Sequence, residues 1–195
     1  MKLSKLITKG LFYFTILFFS SLNVLQSQVY NLSNSDSNLK VFGTSNVHDW
    51  EVIANEQKGV VDISQSSNLE INKLKIIITS ESLKSGKKSM DKNTFKALKT
   101  DEFKNITFLL IETINVIDLS NGKYKVKANG SLTVVGDTKN IPIDFNLNLN
   151  NNTINITGEK SIKMTDYNIE PPTALFGTIT TGDEITIKFN TIFKN

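Results

Sequence analysis

At 195 residues, with 39% hydrophobic and 21% charged side chains, the chain is long enough to bury a substantial core in one domain. It has no cysteine, which excludes disulfides, a thiol nucleophile and thiolate metal ligands together. Its 22 basic and 19 acidic residues include no arginine, so the charge leaves no footprint for nucleic acid, and none is expected as a partner.

The chain opens with Lys2, Lys5 and Lys9 ahead of an apolar run over 11–25 and then Gln26-Ser27-Gln28, the layout of a secretory signal peptide spanning 1–27. A helix made of that run would reach only about 22 Å, against roughly 30 Å of bilayer hydrocarbon, so removal is expected rather than a permanent membrane anchor. Loss of the three leader lysines leaves 19 basic against 19 acidic residues. The mature protein is expected to be periplasmic if the source has two membranes, and otherwise secreted.

Beyond the leader, 28–40 is rich in Ser and Asn and reads as a flexible lead-in to a domain over 41–195. Across 47–54 the alternation places Trp50, Val52 and Ala54 on one face. The stretch 59–63 is short and β-branched, and 72–78 sets Leu74, Ile76 and Ile78 opposite Lys73 and Lys75. The period then changes. Phe95 and Leu98, with Met90 before them and Phe103 beyond, give a short helical piece one apolar side, while Lys92, Lys96 and Lys99 face water. From Asn105, Ile106, Phe108 and Leu110 alternate with Thr107, Leu109 and Ile111, which reads as a strand covered on both faces.

Asn121-Gly122 is the strongest hairpin signal, because a tight turn of the right twist needs positive φ at both central residues. It is expected to join 113–118 to 123–129, with Tyr124, Val126 and Ala128 facing in and three lysines out. Gly136-Asp137 and Asn151-Asn152 mark two more turns. Between them Ile141, Ile143, Phe145, Leu147 and Leu149 alternate with polar residues, and Pro142 sits near the strand's start, where it costs little. The stretch 159–183, with Pro171-Pro172, Gly177 and Gly182, reads as a long connection with at most a short strand near Ile162. A last strand puts Ile185, Ile187, Phe189 and Phe193 on one face. About eight or more short strands, one small helix and no repeats predict an all-β antiparallel barrel rather than βαβ units.

Little in the chain points to chemistry. His48, in His48-Asp49-Trp50, is the only histidine, and no spacing supplies further metal ligands or a base for a nucleophile. Adjacent acids such as Asp101-Glu102 and Asp183-Glu184 point to opposite faces of a strand, or accompany a helix as solubility features. Lys84, Lys87 and Lys88 lack the strand-to-helix context of a phosphate loop. No catalytic residue, metal or cofactor is expected, and the enzyme reading lacks a constellation.

Three pieces carry a family likeness: Met90 to Phe108 with its Asp101-Glu102-Phe103 and Ile106-Thr107-Phe108; Asn121-Gly122-Lys123-Tyr124 running into Gly130-Ser131-Leu132-Thr133; and Gly182-Asp183-Glu184-Ile185-Thr186-Ile187. In order and spacing the chain resembles the YceI-like family of secreted polyisoprenoid-binding proteins. The resemblance implies a lipocalin-like barrel whose inside holds a long isoprenoid or other amphiphilic chain. The candidate ligand-binding residues are the inward ones: Trp50, Leu74, Ile76, Phe108 and Leu110 from the first half, then Tyr124, Val126, Phe145, Leu147, Ile187 and Phe189. The helical piece would be a lid, with Phe95, Leu98 and Phe103 controlling entry to the mouth. An eight-stranded barrel can equally be filled by its own side chains, so a ligand-free structural or partner-binding barrel stays open beside the carrier. A homodimer is compatible with either.

Overall fold

The computed structural model describes residues 27–65 and 68–195, so the expected signal peptide falls outside the described residues except for its last position. The strands are β1 (Gln28–Leu32), β2 (Asn38–Ser45), β3 (Trp50–Ala54), β4 (Gln57–Gln65), β5 (Leu69–Thr79) and β6 (Leu83–Lys84) in the first half. The helix α1 (Lys88–Ala97) follows, then β7 (Asn105–Asp118), β8 (Lys123–Val134), β9 (Asp137–Asn150), β10 (Thr153–Lys163), β11 (Thr173–Ala174) and β12 (Ile179–Lys194). Among the described residues no helix is long and apolar enough to cross a membrane.

The strands form a closed antiparallel barrel of eight staves taken in chain order. Three staves are bent in two: β1 with β2, β3 with β4, and β5 with β6. The remaining staves are β7, β8, β9, β10 and β12, and β12 closes the ring by pairing with β10 on one side and with β2 and β1 on the other.

The three bends lie side by side, and polar side chains take over where the backbone ladder breaks. Stave one bends through a 3₁₀ turn, Asn34–Asp36, and stave three through another, Ser80–Ser82. The Asn34 amide donates to the Asn55 carbonyl at 3.0 Å, and its oxygen accepts the Gln57 N–H at 2.8 Å. The Asn55 amide and backbone N–H both donate to the Ser82 carbonyl at 3.1 Å. The Ser82 hydroxyl donates back to the Glu56 carbonyl. Buried backbone groups must find partners, and here Asn and Ser supply them.

This corrects the expectation of a flexible lead-in over 28–40. The segment is the first stave: Tyr30 is 1% exposed, Leu39 is 5% exposed, and the Ser/Asn residues between them stitch the bend. The Ser33 N–H donates to the Ile192 carbonyl, and the Ile192 N–H to the Ser37 hydroxyl. Its polar composition is the bend's hydrogen-bond supply, not looseness.

Two other boundaries move. The strands expected at 106–110 and 113–118 are one, β7, whose register slips between Leu110 and Glu112 and again between Thr113 and Asn115. Its outer face is not covered, since Leu109, Ile111, Ile114 and Ile117 are all exposed. Each slip inserts a residue and re-aims the alternation, which a simple period-2 reading cannot see. The expected long connection from 159 begins later, because β10 runs on to Lys163. Gly158 and Lys160 hold inward positions between Ile156 and Ile162, and so hid that strand's alternation. The Asn121-Gly122 turn is as expected, with φ of 55° and 71° and the Lys123 N–H donating to the Ser120 carbonyl.

Replacing Asn34 by Ala removes two bonds of the bend and leaves the buried Gln57 N–H without its acceptor. Asn34→Ala should lower stability by about 1–3 kcal/mol in urea denaturation with an unchanged m-value.

Candidate ligand cavity

Because side chains alternate along each stave, the barrel interior is a stack of inward residues whose size changes with height. At the lower end, where the 119–122 and 150–152 turns lie, the inward groups are large and close-packed. Tyr30, Tyr124, Leu147, Ile154 and Phe193 meet there with Val61 and Val126, all at most 5% exposed. One step up, Phe145, Gly158 and Phe189 share a level through the β9–β10–β12 pairing, and with Leu74 and Ile156 they form a floor. Above the floor the inward residues are mostly branched aliphatics such as Val41, Val52, Ile143 and Ile187. These leave a cavity of about 820 Å³ open at the upper end, within the usual range for small-molecule sites.

Seven of the expected wall residues line this cavity: Trp50, Leu74, Ile76, Phe108, Phe145, Ile187 and Phe189. The other four do not reach it. Tyr124, Val126 and Leu147 lie below the floor in the packed end, and Leu110 is a half-buried neighbour of the same cluster. The alternation that identified them gives the face of a strand and not the depth along it. Trp50 is fixed by its indole N–H, which donates to the Thr44 carbonyl at 3.0 Å.

The helix stands at the open end, packed beside β6 of the third stave. Of the expected lid residues, Leu98 lines the cavity, along with Met90, Thr94 and Ala97. Phe95 is half-buried outside the lining, and Phe103 packs on the β8–β9 turn at Gly136. The helix is tied to the preceding loop by Asp91, which accepts from the Ser85 hydroxyl at 2.6 Å and the Ser85 N–H at 2.7 Å. These two bonds, with Lys84 nearby, hold its carboxyl below the ordinary range. The tie is therefore intact above the usual carboxylate value of about 4 and weakens as pH falls through the lowered one.

The segment 164–178 closes the other side of the mouth. Met164, Tyr167 and Ile169 pack into a second cluster with Leu132 and Val134 of β8, and all five line the cavity. Tyr167 is 1% exposed and its hydroxyl has no partner among the described residues. Burial, with Asp166 beside it, pushes that hydroxyl's pKa up. Sequence reasoning missed these three residues because a 3₁₀ turn has no sustained period. Leu132 and Val134 were within reach, since they continue the inward series of Tyr124, Val126 and Ala128. His48 stands exposed on the rim, where its Nδ1 lies 2.9 Å from the Asp49 carbonyl oxygen. Among the described residues no group of three or more His, Cys, Asp or Glu side chains is placed to hold a metal ion.

A closed eight-stranded barrel with a half-filled interior and a helix at its mouth matches known proteins in fold. The chain belongs to the YceI-like domain family, whose model matches residues 30–193. Among solved structures it is similar to BcnA of Burkholderia cenocepacia, at 17% identity and a TM-score of 0.66, over 83% of this chain and 98% of that one. It is also similar to a polyisoprenoid binding domain from Saccharophagus degradans implicated in plant cell wall breakdown (16% identity, TM-score 0.67, 85% and 97% of the two chains). A YceI protein of Campylobacter jejuni matches at 19% identity with a TM-score of 0.55, over 72% and 81%. No curated protein matches the sequence.

The two halves of the interior should answer the same substitution differently. Ile187→Trp grows into empty space and should change stability by less than about 1.5 kcal/mol, whereas Leu147→Trp overpacks the closed end and should cost about 1–3 kcal/mol or more. Chemical denaturation of the two variants side by side reads the difference.

Proposed function

We propose that the protein binds a long apolar or amphiphilic molecule of the isoprenoid or isoprenoid-quinone type in the barrel, and carries it or reports its presence in the periplasm or outside the cell. The observation that carries this reading is the hollow upper half of the interior, lined mainly by aliphatic and aromatic side chains and open at one end. Family membership and the fold shared with a polyisoprenoid binding domain support it. A barrel that served only as a structural module would be expected to fill its interior along its whole length, as this one does only below Phe145 and Phe189.

The energetics favour a long ligand. At about 30 Å³ for a methylene-sized group, the cavity has room for on the order of 25 such groups. At about 0.8 kcal/mol for each buried methylene, a chain that fills it gains roughly 20 kcal/mol gross, more than the estimated 4–15 kcal/mol cost of association. A tail of ten carbons gains only about 8 kcal/mol and would be held weakly.

Trp50 is the only tryptophan and stands on the cavity wall, so it serves as an internal reporter. Titration with a long-chain isoprenoid should shift its emission to the blue in a saturable way. Phe108→Asp sets a carboxylate in the wall and should weaken binding by at least about a hundredfold; Ile187→Trp should weaken it by filling the space. Unchanged binding in Phe108→Asp with native circular dichroism would place the ligand elsewhere.

A further inference from the structure

The cavity wall is not uniformly apolar. Lys160 on β10 faces inward, one inward step above Gly158 and one below Ile162, and is half-buried there. Its cross-strand partner on β12 is Ile187. On the other side β10 has already parted from β9, because their pairing ends at Gly158 with Phe145. Continuing that register would bring Ile143 opposite Lys160, so neither side offers a carboxylate. The acid next along the chain, Glu159, points outward and pairs with Lys188 at 3.4 Å. Among the described residues Lys160 has no ion-pair partner.

The rest of the wall repeats the same sign. Lys87 and Lys92 reach it from the helix end of the mouth, and no aspartate or glutamate lines the cavity among the described residues. A lysine stem can lie along an apolar wall and send its ammonium toward water, as the exposed Lys87 and Lys92 do at the mouth. Lys160 is instead half-buried on a wall that carries no carboxylate among the described residues, in a chain where acids and lysines are nearly balanced overall. A partly desolvated cation without a counter-charge is costly, and its cost is relieved when a bound group supplies the opposite charge.

We propose that the cavity selects amphiphiles with an acidic head, a carboxylate or a phosphate monoester on a long apolar tail, and that Lys160 is the residue that reads the head. This rests on the carrier reading above and narrows it from apolar chains in general to anionic ones. Lys160 is rooted one inward step above the floor, so the head lies deep in the cavity and the tail runs from it up the wall past Ile162 and Met164 toward the mouth. Lys87 and Lys92 add a positive field at the entrance that favours approach of an anion.

The test compares ligands that differ only in the head: a long-chain carboxylic acid with the alcohol of the same chain, and a prenyl phosphate with its prenol, by calorimetry on the mature protein. The wild type should bind each acidic member roughly ten- to a hundredfold tighter than its neutral counterpart. Lys160→Met, close in shape and uncharged, should bring the acidic and neutral members to about equal affinity, while Lys160→Arg keeps the preference. Inorganic phosphate alone should not displace the long-chain acid, and displacement by it would overturn a site anchored by the tail. Equal affinity for acid and alcohol in the wild type, or a preference that survives in Lys160→Met, overturns the role of Lys160 and leaves the carrier reading standing. Failure of all four ligands to bind overturns both.

Discussion

A sheet that closes on itself has no exposed edge, and closure here depends on the backbone hydrogen bonds of one strand. Residues 179–194 of β12 pair with β10 along one side from Thr153 to Lys163, and with β2 and then β1 along the other. Unpaired edges are open to further strand pairing, so a barrel is stable against such pairing only when the last stave finds the first. That requirement explains why 28–32 is paired on both sides and why side chains of Asn34, Asn55 and Ser82 bond the backbone at the bends.

Once the ring is closed with eight staves, the interior is wide enough that side-chain size decides between solid and hollow. Large groups, Tyr30, Tyr124 and Phe193, meet at the lower end and fill it. At the upper end branched aliphatics on opposite walls do not meet, and the helix and the 164–178 segment enclose the space instead of filling it. A void of this kind forfeits contacts and weakens the empty fold. A bound chain restores those contacts, so binding and stability are linked: a ligand that enters only the folded barrel stabilises it.

Strand periodicity carried most of this fold into the sequence. The alternation of Ile141, Ile143, Phe145 and Leu147, the Asn121-Gly122 turn and the lysines outside Tyr124 and Val126 specify the middle of β9 and the first part of β8, which runs on to Val134 beyond the expected end at 129. The features that escaped are those where a local rule is overridden by a distant partner. Asn34 and Ser37 look like loop residues until Gln57 and Ile192 are seen to need them. Ile114 looks buried until the slips in β7 turn it outward, and Ile111 until the outer face beside Leu109 is seen to be uncovered. Lys160 looks like an interruption of a strand, because an inward lysine follows no core pattern. Depth along the barrel is also invisible to a period of two, which is why Leu147 and Phe145 could not be told apart as packed end and cavity floor.

The central claim is that the space above Phe145, Ile156 and Phe189 belongs to a ligand. The most direct measurement is native mass spectrometry of the mature protein taken from its own cell envelope, followed by organic extraction and identification of what is released. The account predicts one long-chain molecule per barrel, lost on unfolding and recovered in the extract. A protein that carries no such molecule, and takes up none on incubation with long-chain isoprenoids and fatty acids, would contradict it.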